Sequence, residues 1–174
     1  MSVKHVLLVC LDEADGQTLK TTGQLALAAC AQGIQVSILT NAVEGSEFEG
    51  IHKDIQVFHS VESKWPAMLG GNALVALRRA LKSGTQISHV HFIGMSLHTM
   101  VLGWVCQRYD VPFLATALSD SCFELNKQPF GLRKKYLKHL DYMDQIVVSN
   151  QMMLEKANLI HLDNILLIKE GVDT

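Results

Sequence analysis

The apolar run HVHFI contains two histidines, a residue type that can bind metals, transfer protons or contact ligands. His89 and His91 are two residues apart, so on a strand both imidazoles project to the same side. Two histidines can begin a metal site, but no third ligand stands at a suggestive spacing, and the sequence therefore predicts no metal. His91 is a candidate ligand contact, and the ordinary alternative is a polar or core histidine.

Serine and aspartate follow two further apolar runs. Ser96 can cap a helix after HVHFIGM, and Asp120 follows FLATAL within the triplet Ser-Asp-Ser. Asp120 could place a carboxylate in a cleft, or it could simply cap a turn. Because Gly94-Met95-Ser96 lacks the second half of a G-x-S-x-G elbow, no Ser/His/Asp triad can be assembled, and hydrolase chemistry is disfavoured.

The loop LDEADGQT follows the first apolar run and contains one glycine, Gly16. A dinucleotide site would require G-x-G-x-x-G here, because bare backbone must approach a pyrophosphate. That motif is absent. Gly16 still allows the backbone to approach an anion at a helix N-terminus, where free N–H groups favour negative charge. The alternative is a solvated turn with Gly16 at positive φ.

A basic run lies on a predicted amphipathic helix. The basic run Arg133-Lys134-Lys135, together with Lys138 and His139, opposes an apolar side that includes Tyr136. A solvated face is the ordinary interpretation, and a membrane surface or an acidic substrate is the alternative. With 15 Lys and Arg against 17 Asp and Glu, the formal charge is −2. The chain therefore has no global field for nucleic acid or an anionic membrane, and any such contact would be local.

The spacing of apolar residues alternates along the chain between that of strands and that of helices, and it predicts the elements that carry these residues. Predicted strands cover residues 5–10, 35–40, 55–59, 89–93, 113–117, 145–149 and 165–168, and predicted helices cover residues 19–31, 73–83, 97–109, 132–140 and 151–159. Repeated βαβ units predict a Rossmann-like three-layer α/β/α sandwich with a mostly parallel sheet of about seven strands. Ligands of such sheets bind beyond the carboxyl ends of the strands, so the candidate residues should share one edge.

Composition agrees with a single globular domain. The chain has 174 residues, of which 48% are hydrophobic and 18% charged, which excludes disorder and suits strands buried on both faces. The four cysteines have no C-x-x-C spacing and are expected to be reduced thiols. No apolar run reaches the ~18 residues of a membrane span, and no signal peptide precedes the first strand, so we expect a cytoplasmic protein.

Three longer stretches resemble one known family. QLALAACAQGIQVSILT, HVHFIGMSLHTMVLGWVCQRYDVPFLAT and DQIVVSNQMMLEKANLIHLDNILLIKEGVDT are similar, in order, to parts of the N-terminal, acceptor-side domain of group-1 (family-4) glycosyltransferases, which have the two-domain GT-B fold. The last stretch is the most specific, because Ser149, Ile168 and Gly171-Val172-Asp173 match in order and spacing. The resemblance covers nearly the whole chain.

The resemblance implies a function and a division of the chain. Residues 1–168 would be a Rossmann-like N-terminal domain, and residues 169–174 would begin the hinge to an absent C-terminal domain that binds most of a nucleotide-sugar donor. The enzyme would move a hexosyl group to a hydroxyl of a sugar, lipid or small metabolite, with retention and without a metal or other cofactor. The charge balance predicts no nucleic-acid partner and only weak membrane-surface association. This domain alone would be inactive.

The resemblance also assigns roles to individual residues. Gly16 and Gln17 would lie near the donor phosphates, and Glu170 would lie at the hinge. Three residues would face the acceptor: His91, Ser96 and Asp120. The sequence departs from the family at Gln17, where the family has a second glycine, at Leu118, near where members often carry a histidine, and at Glu170, where the family has asparagine. These departures indicate either a different acceptor or weakened activity.

A second hypothesis needs no enzyme activity. A stand-alone Rossmann-like or flavodoxin-like binding module would take a small anion or a protein at the same strand ends, and it agrees with the absence of a catalytic constellation. An intact small enzyme of another Rossmann class is disfavoured, because the dinucleotide motif is missing.

Overall fold

Seven strands form one parallel sheet in the computed structural model, which describes residues 4–11, 16–41, 55–60, 71–82, 86–125 and 131–168. The strands are β1 His5–Cys10, β2 Gln35–Thr40, β3 Gln56–His59, β4 His89–Ile93, β5 Phe113–Thr116, β6 Gln145–Val148 and β7 Ile165–Leu167. Their order is β3-β2-β1-β4-β5-β6-β7, and every neighbouring pair is parallel. The predicted fold class is confirmed.

Among the described residues, five α-helices connect these strands. They are α1 Gly16–Ala31, α2 Gly71–Lys82, α3 Leu97–Arg108, α4 Arg133–Asp141 and α5 Gln151–Leu159. The predicted helix α5 has the same bounds, and α1 begins three residues earlier than residue 19, where its apolar pattern starts. A short 3-10 helix, Asp120–Phe123, was not predicted. In the part of the chain that the structure describes, no helix is long and apolar enough to cross a membrane.

The helices divide unequally between the two faces of the sheet. Val6 and Leu8 of β1 pack in a small core with Ala26 of α1. Leu7 and Val9 point to the opposite face, where the larger core includes buried residues of α2, α3, α4 and α5. Alternate residues of β1 therefore belong to different cores, and all six are buried, as expected for a central parallel strand.

A buried histidine joins three elements of the larger core. The ring of His139 in α4 stacks on Phe113 of β5, with centroids 5.8 Å apart and an interplanar angle of 19°. Within the described residues neither ring nitrogen of His139 has a hydrogen-bond partner. Burial lowers the pKa of His139 to about 4, because a charged imidazole would lose its hydration here. The ring is therefore neutral at pH 7 and packs as an aromatic group. The prediction that His139 belongs to the basic side of α4 is wrong, because this residue lies on the side of the helix that packs on the sheet.

Gly103 of α3 makes room for this ring. A Cβ at Gly103 would collide with Cε1 of His139 and would lie 3.0 Å from Cε2 of Phe113. The distance between α3 and α4 therefore depends on a residue without a side chain at this position. Gly131 offers a matched comparison, because a Cβ there would meet nothing within 4 Å.

We predict that Gly103→Ala destabilises the protein by about 2 kcal/mol, because the added methyl group overpacks the core between α3 and α4. Gly131→Ala should change the free energy of unfolding by less than about 0.5 kcal/mol. Urea denaturation followed by circular dichroism measures both. Equal stabilities of the two variants would contradict the packing described for His139.

We predict that stability falls as the pH is lowered from 7.5 to 4.5, in part through His139. The pKa of this histidine is lower in the folded state than its ordinary 6.5, so its contribution is complete above that value and is lost as the pH approaches 4. The contribution lost over this interval is about 2 to 3 kcal/mol. His139→Leu should flatten the pH dependence of the urea midpoint by that amount. An unchanged slope in the variant would show that His139 titrates normally.

Candidate functional site

The carboxyl ends of the strands form one edge, because the whole sheet is parallel. The chain moves outward from β1 to β2 in one direction and from β4 to β5 in the other. The strand order therefore reverses between β1 and β4, and open α/β sheets bind ligands at such a switch point. The helices α1, α3 and α5 begin at this same edge, so their free N–H groups favour anions there.

The loop after β4 is held rigidly at the centre of this edge. Gly94 has φ 100°, a conformation that costs other residues energy, and its N–H donates to the carbonyl of Thr116 (3.0 Å). Ser96 is the predicted N-cap of α3, and its N–H donates to Oγ1 of Thr99 (3.0 Å). The Thr99 hydroxyl in turn donates to the carbonyl of Ser96 (2.7 Å). The start of α3 is thus fixed by its own side chains.

The 3-10 helix after β5 joins the neighbouring loops. The thiol of Cys122 donates to the carbonyl of Met95 over 3.5 Å, which connects the 3-10 helix to the loop that carries Ser96. The two segments predicted to carry acceptor contacts therefore lie together. Leu118, two residues after the end of β5, is exposed at this edge, where the resemblance would place a residue near the transferred sugar.

Asp120 is paired with a lysine rather than left open. Nζ of Lys156 in α5 donates to Oδ2 of Asp120 (2.6 Å) and to Oε1 of Glu124 (2.8 Å). Each of the two side chains in the Asp120 pair is 30% exposed, and the hydrogen bonds to Asp120 and then Glu124 raise the pKa of Lys156. One lysine therefore joins two carboxylates in this cluster. Such a cluster can accept hydrogen bonds from hydroxyl groups.

His91 lies within β4, two residues before its end. Its Nε2 shares a hydrogen bond with Oγ1 of Thr116 (2.8 Å), the last residue of β5, so the ring leans toward the carboxyl edge. Burial, followed by the nearby His89, lowers the pKa of His91 to about 4. The imidazole is neutral at pH 7 and can orient a hydroxyl, but it supplies no positive charge.

The other predicted site residues are only partly described. Gly16 is the first residue of α1, as its proposed role at a helix N-terminus requires. Gln17 follows it in the helix, but the structure does not describe the Gln17 side chain. Glu170 lies outside the described residues. Asn41, which the sequence did not single out, donates from Nδ2 to the carbonyl of Leu11 (2.8 Å) and so joins the loops after β1 and β2.

Sequence reasoning missed Thr116, Glu124 and Lys156 as well as Asn41. A polar residue that closes an apolar strand, as Thr116 does, was the one available signal. In the residues described here, no group of three or more His, Cys, Asp and Glu side chains could hold a metal ion. The edge thus combines helix N-termini that suit an anion with hydroxyl and carboxylate groups that suit a polyhydroxylated ligand.

Known structures share this fold over nearly the whole chain. A glycosyltransferase from Rickettsia africae ESF-5 has a TM-score of 0.70 at 14% identity, covering 99% of this chain and 44% of that chain. Phytolacca americana UGT2, complexed with UDP-2fluoro-glucose and pterostilbene, has a TM-score of 0.65 at 12% identity, covering 100% and 56%. A UDP-N-acetylglucosamine 2-epimerase has a TM-score of 0.68 at 15% identity, covering 95% and 48%.

The chain spans about half the length of these proteins. At such identities the likeness establishes the fold alone, and it agrees with the predicted resemblance to one domain of a GT-B glycosyltransferase. No protein-family model matches the chain, and no curated protein matches its sequence.

We predict that Lys156→Met lowers the urea midpoint of unfolding, because it removes the cation that joins Asp120 and Glu124. Lys20→Met, which removes an exposed lysine on α1, serves as the control and should have little effect. Urea unfolding at 0.1 M and 1 M salt measures the difference, which should shrink at high salt. Equal stabilities of the two variants at low salt would refute a structural role for the ion pairs.

Proposed function

We propose that this chain is the acceptor-side domain of a cytoplasmic glycosyltransferase that moves a sugar from a nucleotide-sugar donor to a hydroxyl group. The observation that carries the proposal is the fold match over nearly the whole chain to about half of proteins such as UGT2, which binds UDP-2fluoro-glucose. In this proposal residues 1–168 form the domain, and residues 169–174 begin a hinge to a donor-binding domain.

The proposed donor contact uses the start of α1. Gly16 and Gln17 would lie beside the phosphates of the donor, where a helix N-terminus offers N–H groups and favourable electrostatics. The single glycine allows one point of close backbone approach, whereas the family has two. Most of the donor affinity would therefore come from the second domain, and Glu170 would lie between the two.

The proposed acceptor contact uses the loops after β4 and β5. Ser96 starts α3 at the centre of the edge, and His91 leans toward it as a neutral hydrogen-bonding group. Asp120 is already bonded to Lys156, so its role would be to accept a hydrogen bond from an acceptor hydroxyl while the ion pair holds it in place. We propose a sugar, lipid or small metabolite as the acceptor.

We further propose that transfer retains anomeric configuration, needs no metal or other cofactor, and requires both domains. Catalysis in a cleft between two domains depends on positioning and on stabilisation of developing charge, and one domain alone supplies too little of either. The described residues provide hydrogen-bonding groups for orientation.

A second candidate function is epimerisation of a nucleotide-sugar. The observation that favours it is the match to a UDP-N-acetylglucosamine 2-epimerase, whose TM-score of 0.68 is close to that of the glycosyltransferases. Both candidates place a nucleotide-sugar at the same edge, and they differ in whether a separate hydroxyl acceptor takes part. A stand-alone binding module without enzyme activity is the third candidate function for this fold.

We predict that the product of the whole reading frame, extended past Thr174 by roughly 150 to 200 residues of a second domain, releases UDP from UDP-glucose or UDP-N-acetylglucosamine. Release should depend on an added hydroxyl acceptor, which a coupled UDP assay measures. Residues 1–174 alone should bind either donor weakly or undetectably by calorimetry.

The results of these experiments distinguish the candidate functions from one another. A change at C2 of the sugar without an acceptor, seen by proton NMR, would favour the epimerase. Sub-micromolar binding of a donor to residues 1–174 alone would contradict the proposed division between two domains. A reading frame that ends at Thr174, with no second chain supplying a donor domain, would exclude a functional transferase.

A further inference from the structure

Positive charge is concentrated on three neighbouring helices. Together α2, α3 and α4 contain eight of the 15 Lys and Arg residues of the chain, but only one of its 17 acidic residues, Asp141. The rest of the chain therefore has seven basic and sixteen acidic residues. The formal charge is +7 on the three helices and −9 elsewhere, so the net charge of −2 conceals a strong asymmetry.

The three helices present their charges on one surface. All three pack on the same side of the sheet, and α3 contacts both α2 and α4. In α2 the buried residues Ala73, Leu77 and Ala80 lie opposite the exposed Arg78 and Lys82. In α3 the exposed Arg108 lies opposite the buried residues of that helix. In α4 the exposed Lys134 and Lys138 likewise lie opposite its buried residues. The basic side chains thus point away from the sheet.

Large apolar side chains are interspersed among these charges. Trp104 of α3, the middle helix, is 64% exposed, the highest exposure of any described aromatic residue. Val75 of α2 is one turn from Arg78, and it is 45% exposed. Tyr142, at the end of α4, is also exposed, and Nζ of Lys138 lies 5.4 Å from its ring centroid. Trp104, Val75 and Tyr142 thus add exposed apolar area to a basic surface.

We propose that the outer surface of α2, α3 and α4 binds an anionic lipid bilayer. Lysine and arginine side chains near such a surface are attracted to its negative potential, and tryptophan and tyrosine favour the boundary between headgroups and acyl chains. Trp104 would enter that boundary, and the basic residues of α2 and α4 on either side would contact lipid phosphates. The proposal is independent of the enzymatic activity proposed above, because it depends only on charge and exposure.

The arrangement favours a membrane over a nucleic acid. Proteins that bind single strands stack successive bases on aromatic platforms along a basic groove. Here the exposed aromatic residues of this surface are spread over two helices, with Trp104 in the middle of α3, Tyr109 at its end and Tyr142 at the end of α4. The exposed aliphatic Val75 adds nothing to base recognition, whereas it gains from contact with acyl chains.

The test measures binding of residues 1–174 to sedimented vesicles. Vesicles of phosphatidylcholine alone are compared with vesicles that contain about one third phosphatidylglycerol, and binding should require the anionic lipid and weaken in high salt. Arg78→Glu with Lys82→Glu should weaken binding at least about tenfold, since it reverses two charges on the proposed surface. Lys4→Glu with Lys20→Glu changes the net charge equally but lies off that surface, and it should retain most of the binding.

Fluorescence of Trp104 provides a second measurement. Trp65→Phe leaves Trp104 as the single tryptophan, and its emission should shift to the blue with anionic vesicles and stay unchanged with neutral ones. Equal loss of binding in the two double variants would overturn the proposal, as would binding without a shift at Trp104. Tighter binding of poly(U) than of anionic vesicles at the same salt would identify a nucleic acid as the partner and would also overturn it.

Discussion

The pairing of β1 with both β2 and β4 is the constraint on which the rest of the structure depends. β1 is buried along its whole length, and its side chains alternate between two cores. The chain must therefore leave β1 toward one edge of the sheet and later return to begin β4 on the other side. Right-handed crossovers then place α1 on one face and α2 to α5 on the other. The position of the candidate site at the carboxyl edge follows from this reversal.

Unequal distribution of the helices has two consequences for the layer of α2, α3 and α4. Its inner side is tightly packed, to the point that Gly103 must lack a side chain where it meets His139. Its outer side carries the charge, because polar residues of these helices have no other surface to occupy. A single helix with a basic stripe is ordinary, but the packing of three such helices side by side creates a broad positive surface on a chain whose net charge is negative.

Much of the fold could be predicted because the signals are local. β1, β2, β4 and α5 have the bounds expected from their apolar periods, and Ser96 is the N-cap of α3. The 3-10 helix Asp120–Phe123 was missed, because four residues are too few to show a period. Asp120 was identified as a site candidate, but its pairing with Lys156 was not, since the two residues are 36 positions apart. The partner of His91, Thr116, is on a neighbouring strand whose register is set by the sheet.

The sequence by itself determined which segments are strands and helices and where several of them end. At Gly33, for example, φ of 74° ends α1, and the N–H of Ile34 reaches the carbonyl of Ala29 (3.1 Å), a local motif that glycine favours. Only the tertiary structure decided that Asp120 is held by Lys156, that His91 is neutral, and that basic residues from three helices share a surface. These properties arise from burial and from contacts between distant segments, and neither is encoded in any single stretch of the chain.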